Sequence, residues 1–229
     1  MKIALCFSGQ PRGLSAAFEY YKKNLLSVYD VDVFCHSWNS NLNEKILELY
    51  SPKSYKFEPS KFGEECDKKY LNTPNPDKWP PRFTVSALYS VNQSLKLCEN
   101  KNIEYDWVIK TRYDYALNVV IPFQKLNKTK LYIPNCRMVP ERNFGNDQFA
   151  FSSYENMKKY MSIYPNIDKY YDMGTQMIGE EMTKANLIEH NLVGENLVYV
   201  DMNNPFPPGK YNGTWHSLVR RDYESWIRI

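Results

Sequence analysis

The sequence predicts an α/β fold, a mostly parallel central sheet flanked by helices on both faces. Short apolar runs alternate with segments of helical period along most of the chain. The first strand, helix and strand fit within 38 residues, the opening of a βαβ unit. Three strand-like runs also end in polar residues, "SGQPRG", "HSW" and "TRYD". In open parallel sheets ligands collect at the carboxyl ends of strands, so polar endings there are expected.

"KIALCFSG" is an apolar run halted by Gly and Pro, hence strand then loop. "LSAAFEYYKKNLLSVY" carries Leu14, Phe18, Tyr21 and Leu25 at helical spacing. "DVDVFCHSW" is a second strand, and "NEKILELYSPKSYKFE" a helix with a short third strand. A Pro- and Lys-rich span, 59–82, follows, and loops of that length are commonly lids or binding loops. "TVSALYSVNQSLKLCENK" is the clearest helix, with Val85, Leu88, Val91 and Leu95 on one side. The strand "DWVIKTRYDYAL" comes next. "KLYIPN" and "NDQFAFSS" read as strands, "YENMKKYMSIY" as a helix capped by Ser152 or Ser153, "GEEMTKANLIEHNL" as a helix and "LVYVDM" as a last strand. The tail, 203–229, is irregular, aromatic and basic.

The length of 229 residues and a 43% hydrophobic content predict a single domain with a full core. A net charge of +3 is too small to mark a nucleic-acid binder. Nineteen tyrosines offer apolar faces with hydroxyl edges, suited to sugars and bases, although biased base composition also enriches Tyr, Asn and Lys. The five cysteines are scattered without metal-knuckle spacing, which fits free thiols in a reducing compartment. No run reads as a signal peptide or a bilayer span, so the expected location is cytoplasmic, host cytoplasm if the protein is viral.

Within "KTRYDY", a period of two puts Lys110, Arg112 and Asp114 on one strand face. Arg112 and Asp114 can simply pair. The functional alternative has Asp114 holding a divalent cation while Lys110 and Arg112 hold anionic groups. Mg²⁺ and Mn²⁺ accept one carboxylate when phosphates supply other oxygens. "FSGQPRG" places a Gly loop and Arg12 before a helix N-terminus, an arrangement suited to phosphate. It is neither G-x-G-x-x-G nor a P-loop.

The order of "IALCFSGQPRG", "VDVFCHSW", "SALYSVNQSLKLCE", "YDWVIKTRYDYAL" and "GNDQFAFSS" resembles a small family of GT-A-type glycosyltransferases. These occur in large DNA viruses of algae and amoebae and in bacterial surface-polysaccharide clusters. The resemblance covers residues 2 to about 192 and implies a GT-A-like, Rossmann-type sheet. "TRYD" stands where other members have Asp-x-Asp, so only Asp114 matches as a metal carboxylate. The resemblance implies transfer of a sugar from a nucleotide sugar, a UDP-sugar by expectation, to a glycan or glycoprotein hydroxyl. A Mn²⁺ or Mg²⁺ at Asp114 would stabilise the departing diphosphate. It further implies that Ser8, Gly9, Gln10 and Arg12 line the nucleotide pocket, with Lys110 and Arg112, and that the helix from Ser86 to Asn92 flanks base, ribose and sugar.

An inverting transfer needs a base. Asp147, presented by the Gly145–Asn146 turn, is the first candidate and Glu181 the second, although Glu180 and Glu181 also suit a first helical turn. A retaining transfer needs neither. His36, at a strand end, is expected to line the pocket, and His216 to serve as an extra metal ligand; a lone His beside Trp is as readily a packing residue. Two other classes compete. A sugar-nucleotide pyrophosphorylase would want a Gly-rich loop that "SGQPRGL" echoes poorly, and a non-catalytic nucleotide- or glycan-binding module would explain the missing first Asp.

Overall fold

The computed structural model describes residues 1–71, 79–101, 103–134 and 147–200. Its frame is a seven-stranded sheet: β1 (Lys2–Ser8), β2 (Asp30–Trp38), β3 (Ser54–Glu58), β4 (Trp107–Arg112), β5 (Leu131–Pro134), β6 (Ala150–Ser152) and β7 (Leu197–Val200). Their order is β3-β2-β1-β4-β6-β5-β7. The pairs β1–β2, β1–β4, β2–β3 and β5–β7 are parallel, while β6 runs antiparallel to both β4 and β5. The fold is thus α/β with a mostly parallel, Rossmann-like sheet.

Helices α1 (Leu14–Tyr21), α2 (Asn43–Tyr50), α3 (Glu64–Lys69), α4 (Pro81–Glu99), α5 (Tyr154–Met161), α6 (Ile167–Asp172) and α7 (Gly179–Glu189) pack around it. A π-helical turn, Lys22–Leu26, extends α1, which accounts for the long periodic run after Leu14. Alternation along each strand sorts the core into two layers. Ile3, Leu5, Phe7, Val33, Trp107 and Ile109 face α1 and α2; Ala4, Cys6, Phe34 and Val108 face α4 and α5. A third cluster, with Leu88, Ile163, Tyr170 and Met182, joins α4, α6 and α7 beside the sheet.

The long helix α4 begins with Pro81, whose missing N–H costs nothing in the first turn. Its buried side runs Val85, Leu88, Val91, Leu95 and Cys98, as the period predicts. Ser153 caps α5, its side chain accepting from the Asn156 N–H. The span 59–82, expected to be an irregular loop, contains α3, and residues 72–78 lie outside the described residues. Helix α6 is an addition to the sequence reading; six residues with Ile167 and Tyr170 buried carry too short a period to stand out. The tail, 203–229, also lies outside the described residues. Among the described residues, no helix is long and apolar enough to cross a membrane.

Candidate active site

Strand β1 is flanked by β2 and β4, so chain connections leave it in opposite directions, the point where open α/β sheets form a crevice. A cleft of about 320 Å³ lies there, at the carboxyl ends of β1 and β4. The register sets Ser8 beside Arg112 and Cys6 beside Lys110. Lys110 and Arg112 share the face of Val108, the one covered by α4 and α5, whereas Thr111 points to the other side and bonds the Tyr21 hydroxyl at 2.6 Å. Strand alternation therefore aims two cations into the cleft and seals the residue between them in the core.

Part of the cleft lining is polar: Ser8, Gly9, Gln10 and Arg12 from the first loop, then Lys110, Arg112 and Asp147. The rest of the lining is largely aromatic and helical: Trp38 at the end of β2, Trp79 and Phe83 around the start of α4, and Ser86, Ala87, Leu88 and Val91 along α4. Trp79 and Phe83 are 60% and 51% exposed, unusual for large apolar rings, and meet edge to face at 6.1 Å.

Lys110 is buried and donates to the Asp147 carbonyl. Burial pulls its pKa down to about 8, the Asp147 and Asp114 charges opposing that pull. Arg112 is partly buried and bonds Asp114 in a fork, Nε to Oδ1 at 2.8 Å and Nη2 to Oδ2 at 2.6 Å. Burial works against the Arg112 charge, but Asp114, with smaller help from the Asp147 and Glu180 charges, outweighs it and raises the pKa above the usual arginine value. Asp147 lies against the start of α7: a Cβ built on Gly179 would stand 2.5 Å from Asp147 Oδ2, so the absent side chain makes room for the carboxylate.

Of the sequence-predicted residues, Ser8, Gly9, Gln10, Arg12, Ser86, Lys110, Arg112 and Asp147 come together around the cleft. Three are placed differently. β4 ends at Arg112, so Asp114 sits in the following turn rather than on the strand face, and folds back onto Arg112. His36 lies beneath the cleft, fully buried, with Nδ1 2.7 Å from Ser90 Oγ and Nε2 3.0 Å from Glu58 Oε1. Glu181 is half-buried in the first turn of α7 and is not among the lining residues. His216 lies outside the described residues.

Ser90 also accepts the Gly9 N–H at 2.7 Å. That amide is therefore engaged in holding the loop, Gly9 standing at φ +99°, rather than in cradling a ligand. Glu58 completes the support. It also takes Lys61 at 2.6 Å, Lys56 at 3.0 Å and the Tyr89 hydroxyl at 2.9 Å. The aromatic lining was missed in the sequence; two large rings beside the Pro-rich turn opening α4, "DKWPPRF", were the available signal.

The described residues fit a divalent cation at Asp114 poorly. Each of its oxygens already accepts from Arg112, and among the described residues no three His, Cys, Asp or Glu side chains gather as a ligand set. No family model matches the chain, and no curated protein does.

Proposed function

We propose that this protein is a glycosyltransferase taking its sugar from a nucleoside diphosphate donor, a UDP-sugar by resemblance, and passing it to a glycan or glycoprotein hydroxyl. The observation that carries the reading is the mixed lining of the cleft. Cations and a Gly loop line it together with exposed rings, which suits the anion and flat ring of a nucleotide sugar. Lys110 and Arg112 face the diphosphate, and Arg12 reaches it from the first loop.

In the reaction the bond between the sugar anomeric carbon and the diphosphate oxygen breaks, and a bond from the acceptor oxygen to that carbon forms. The electron pair of the broken bond stays on the diphosphate, where Lys110 and Arg112 meet charge that is larger in the transition state than in the bound donor. For an inverting transfer the acceptor proton goes to the Asp147 carboxylate, which lines the same cleft.

Calorimetric titration with UDP, GDP and their sugar conjugates, paired with an assay of nucleoside diphosphate release, tests the reading. A donor should bind and turn over in the presence of a glycan acceptor, and Arg12→Ala should raise its KM about tenfold, the loss of one charge-assisted hydrogen bond. Synthesis from a nucleoside triphosphate and a sugar 1-phosphate would instead assign a pyrophosphorylase. Binding without turnover under any acceptor would assign a binding module.

A further inference from the structure

We propose that the diphosphate clamp of this cleft is the Arg112 guanidinium, oriented by Asp114, acting with the Lys110 ammonium, and that nucleoside diphosphate is bound and released without a divalent cation. This rests on the nucleotide-sugar reading and concerns how the same site handles the leaving group.

The fork from Arg112 to Asp114 uses Nε and Nη2, two of the five N–H donors of a guanidinium, and fixes its plane at the carboxyl end of β4. Arg112 at the same time lines the cleft. A planar group with donors remaining is suited to grip two oxygens of a phosphate. A cation seated on Asp114 would lie directly beside this positive charge. The fork takes one lone pair of each Asp114 oxygen, and a cation on the remaining ones would be repelled by the guanidinium beside it and would share the one carboxylate that neutralises Arg112. The single carboxylate is therefore employed in aiming an arginine.

Lys110 supplies the second charge. It is two residues earlier on the same strand face, fully enclosed, with its amine on the Asp147 carbonyl. A carbonyl satisfies one donor of a buried ammonium, and the Asp147 and Asp114 charges offset its burial only in part. A phosphate bound in the cleft would add a further countercharge and favour the protonated form of Lys110.

The test is titration of the intact protein with UDP in excess EDTA and again in excess Mn²⁺, with GDP as a second probe. Affinities in the two buffers should agree within about threefold, and Arg112→Ala should weaken binding at least tenfold in both. Arg112→Lys should fail to restore it, because an ammonium cannot make the forked pair. Asp114→Asn should weaken binding by the same factor in EDTA as in Mn²⁺. Binding at least tenfold tighter in Mn²⁺, with that gain erased by Asp114→Asn, would overturn the clamp and leave the nucleotide reading standing. Metal-independent binding that survives Arg112→Ala would overturn it as well. No binding of either nucleotide in either buffer would remove the nucleotide reading and the clamp with it. The buffer comparison on the unmodified protein needs no variant to fold.

Discussion

Two clusters of buried charge lie within this α/β body, one on either side of the first strand loop, and they are built on opposite terms. Beneath the loop, Glu58 receives hydrogen bonds from His36, Tyr89, Lys56 and Lys61, and His36 passes the chain on through Ser90 to the Gly9 amide. Each of these polar groups answers another. In the cleft, Lys110 is as deeply enclosed, yet its named partner is a neutral carbonyl. Burial works to raise the Glu58 carboxyl, but its hydrogen bonds prevail and hold it well below the usual carboxylate range. Burial pulls Lys110 down to about 8 and prevails. The first cluster stabilises the charged form of its hub, whereas the second strains it. A buried charge satisfied from within fits scaffolding; one whose charged form burial still disfavours, on a residue lining a cleft, fits a site where a ligand's countercharge would matter.

The largest expected effect comes from breaking the scaffold. Glu58→Ala should cost about 3 kcal/mol of stability, read by chemical denaturation, near the low end for removing one partner of a buried pair. Lys56 and Lys61 are half-exposed and can turn to water. The loss falls on the His36 ring and the Tyr89 hydroxyl, which cannot. The pH dependence shares this origin. The folded Glu58 pKa lies below the unfolded value of about 4.3, so its contribution is complete above that pH and is lost as pH falls beneath it. Burial likewise lowers His36, so the folded ring resists the proton that an unfolded one takes near pH 6.5. Acid should weaken the wild type over both windows, and Glu58→Ala should show a shallower decline below about pH 4.3.

The second cluster should respond in the opposite sense to removal of its charge. Lys110→Met relieves a desolvation cost, and a fall from 10.5 to about 8 corresponds to about 3 kcal/mol. Less the lost hydrogen bond to Asp147, the variant should be more stable than wild type at pH 7 by about 1 to 3 kcal/mol. A depressed lysine pKa means the unfolded chain binds more protons between about 8 and 10.4, so the stability gap between wild type and variant should close across that window, on top of whatever the buried Cys and Tyr groups contribute equally to both. Nucleotide binding should fall with the same substitution, the exchange of stability for function expected at a strained site. A Lys110→Met protein no more stable than wild type would place both clusters in the same class.

The sequence made some of this legible and not the rest, for physical reasons. Period-two alternation put Lys110 and Arg112 on one face because both lie within β4. The same rule failed at Asp114, since nothing in "TRYDY" marks the strand's end, and one residue past it the alternation no longer applies. His36 stands at the carboxyl end of β2, where polar residues usually face ligand. Its partner Glu58 is the last residue of β3, paired beside it only through sheet register. Contacts that depend on register between distant strands leave no local pattern. Gly179 is similar: in the sequence it reads as a helix-opening glycine, and its reason is a carboxylate 32 positions earlier in the chain.

That glycine allows the finest distinction between scaffold and site. Gly179→Ala asks the backbone for nothing unusual, because Gly179 is not among the positive-φ glycines, and alanine favours the helix. Its Cβ would meet Asp147 Oδ2 at 2.5 Å and Cγ at 3.3 Å, so the carboxylate has to move aside. Stability should change by no more than about 1 kcal/mol. Activity should suffer more, because a displacement of about 1 Å in a reacting group can lower a rate by about a hundredfold. If Asp147 takes the acceptor proton, the loss appears in kcat with the donor KM unchanged. A raised donor KM with kcat preserved would instead make Asp147 part of the nucleotide wall, and the base would have to be sought elsewhere.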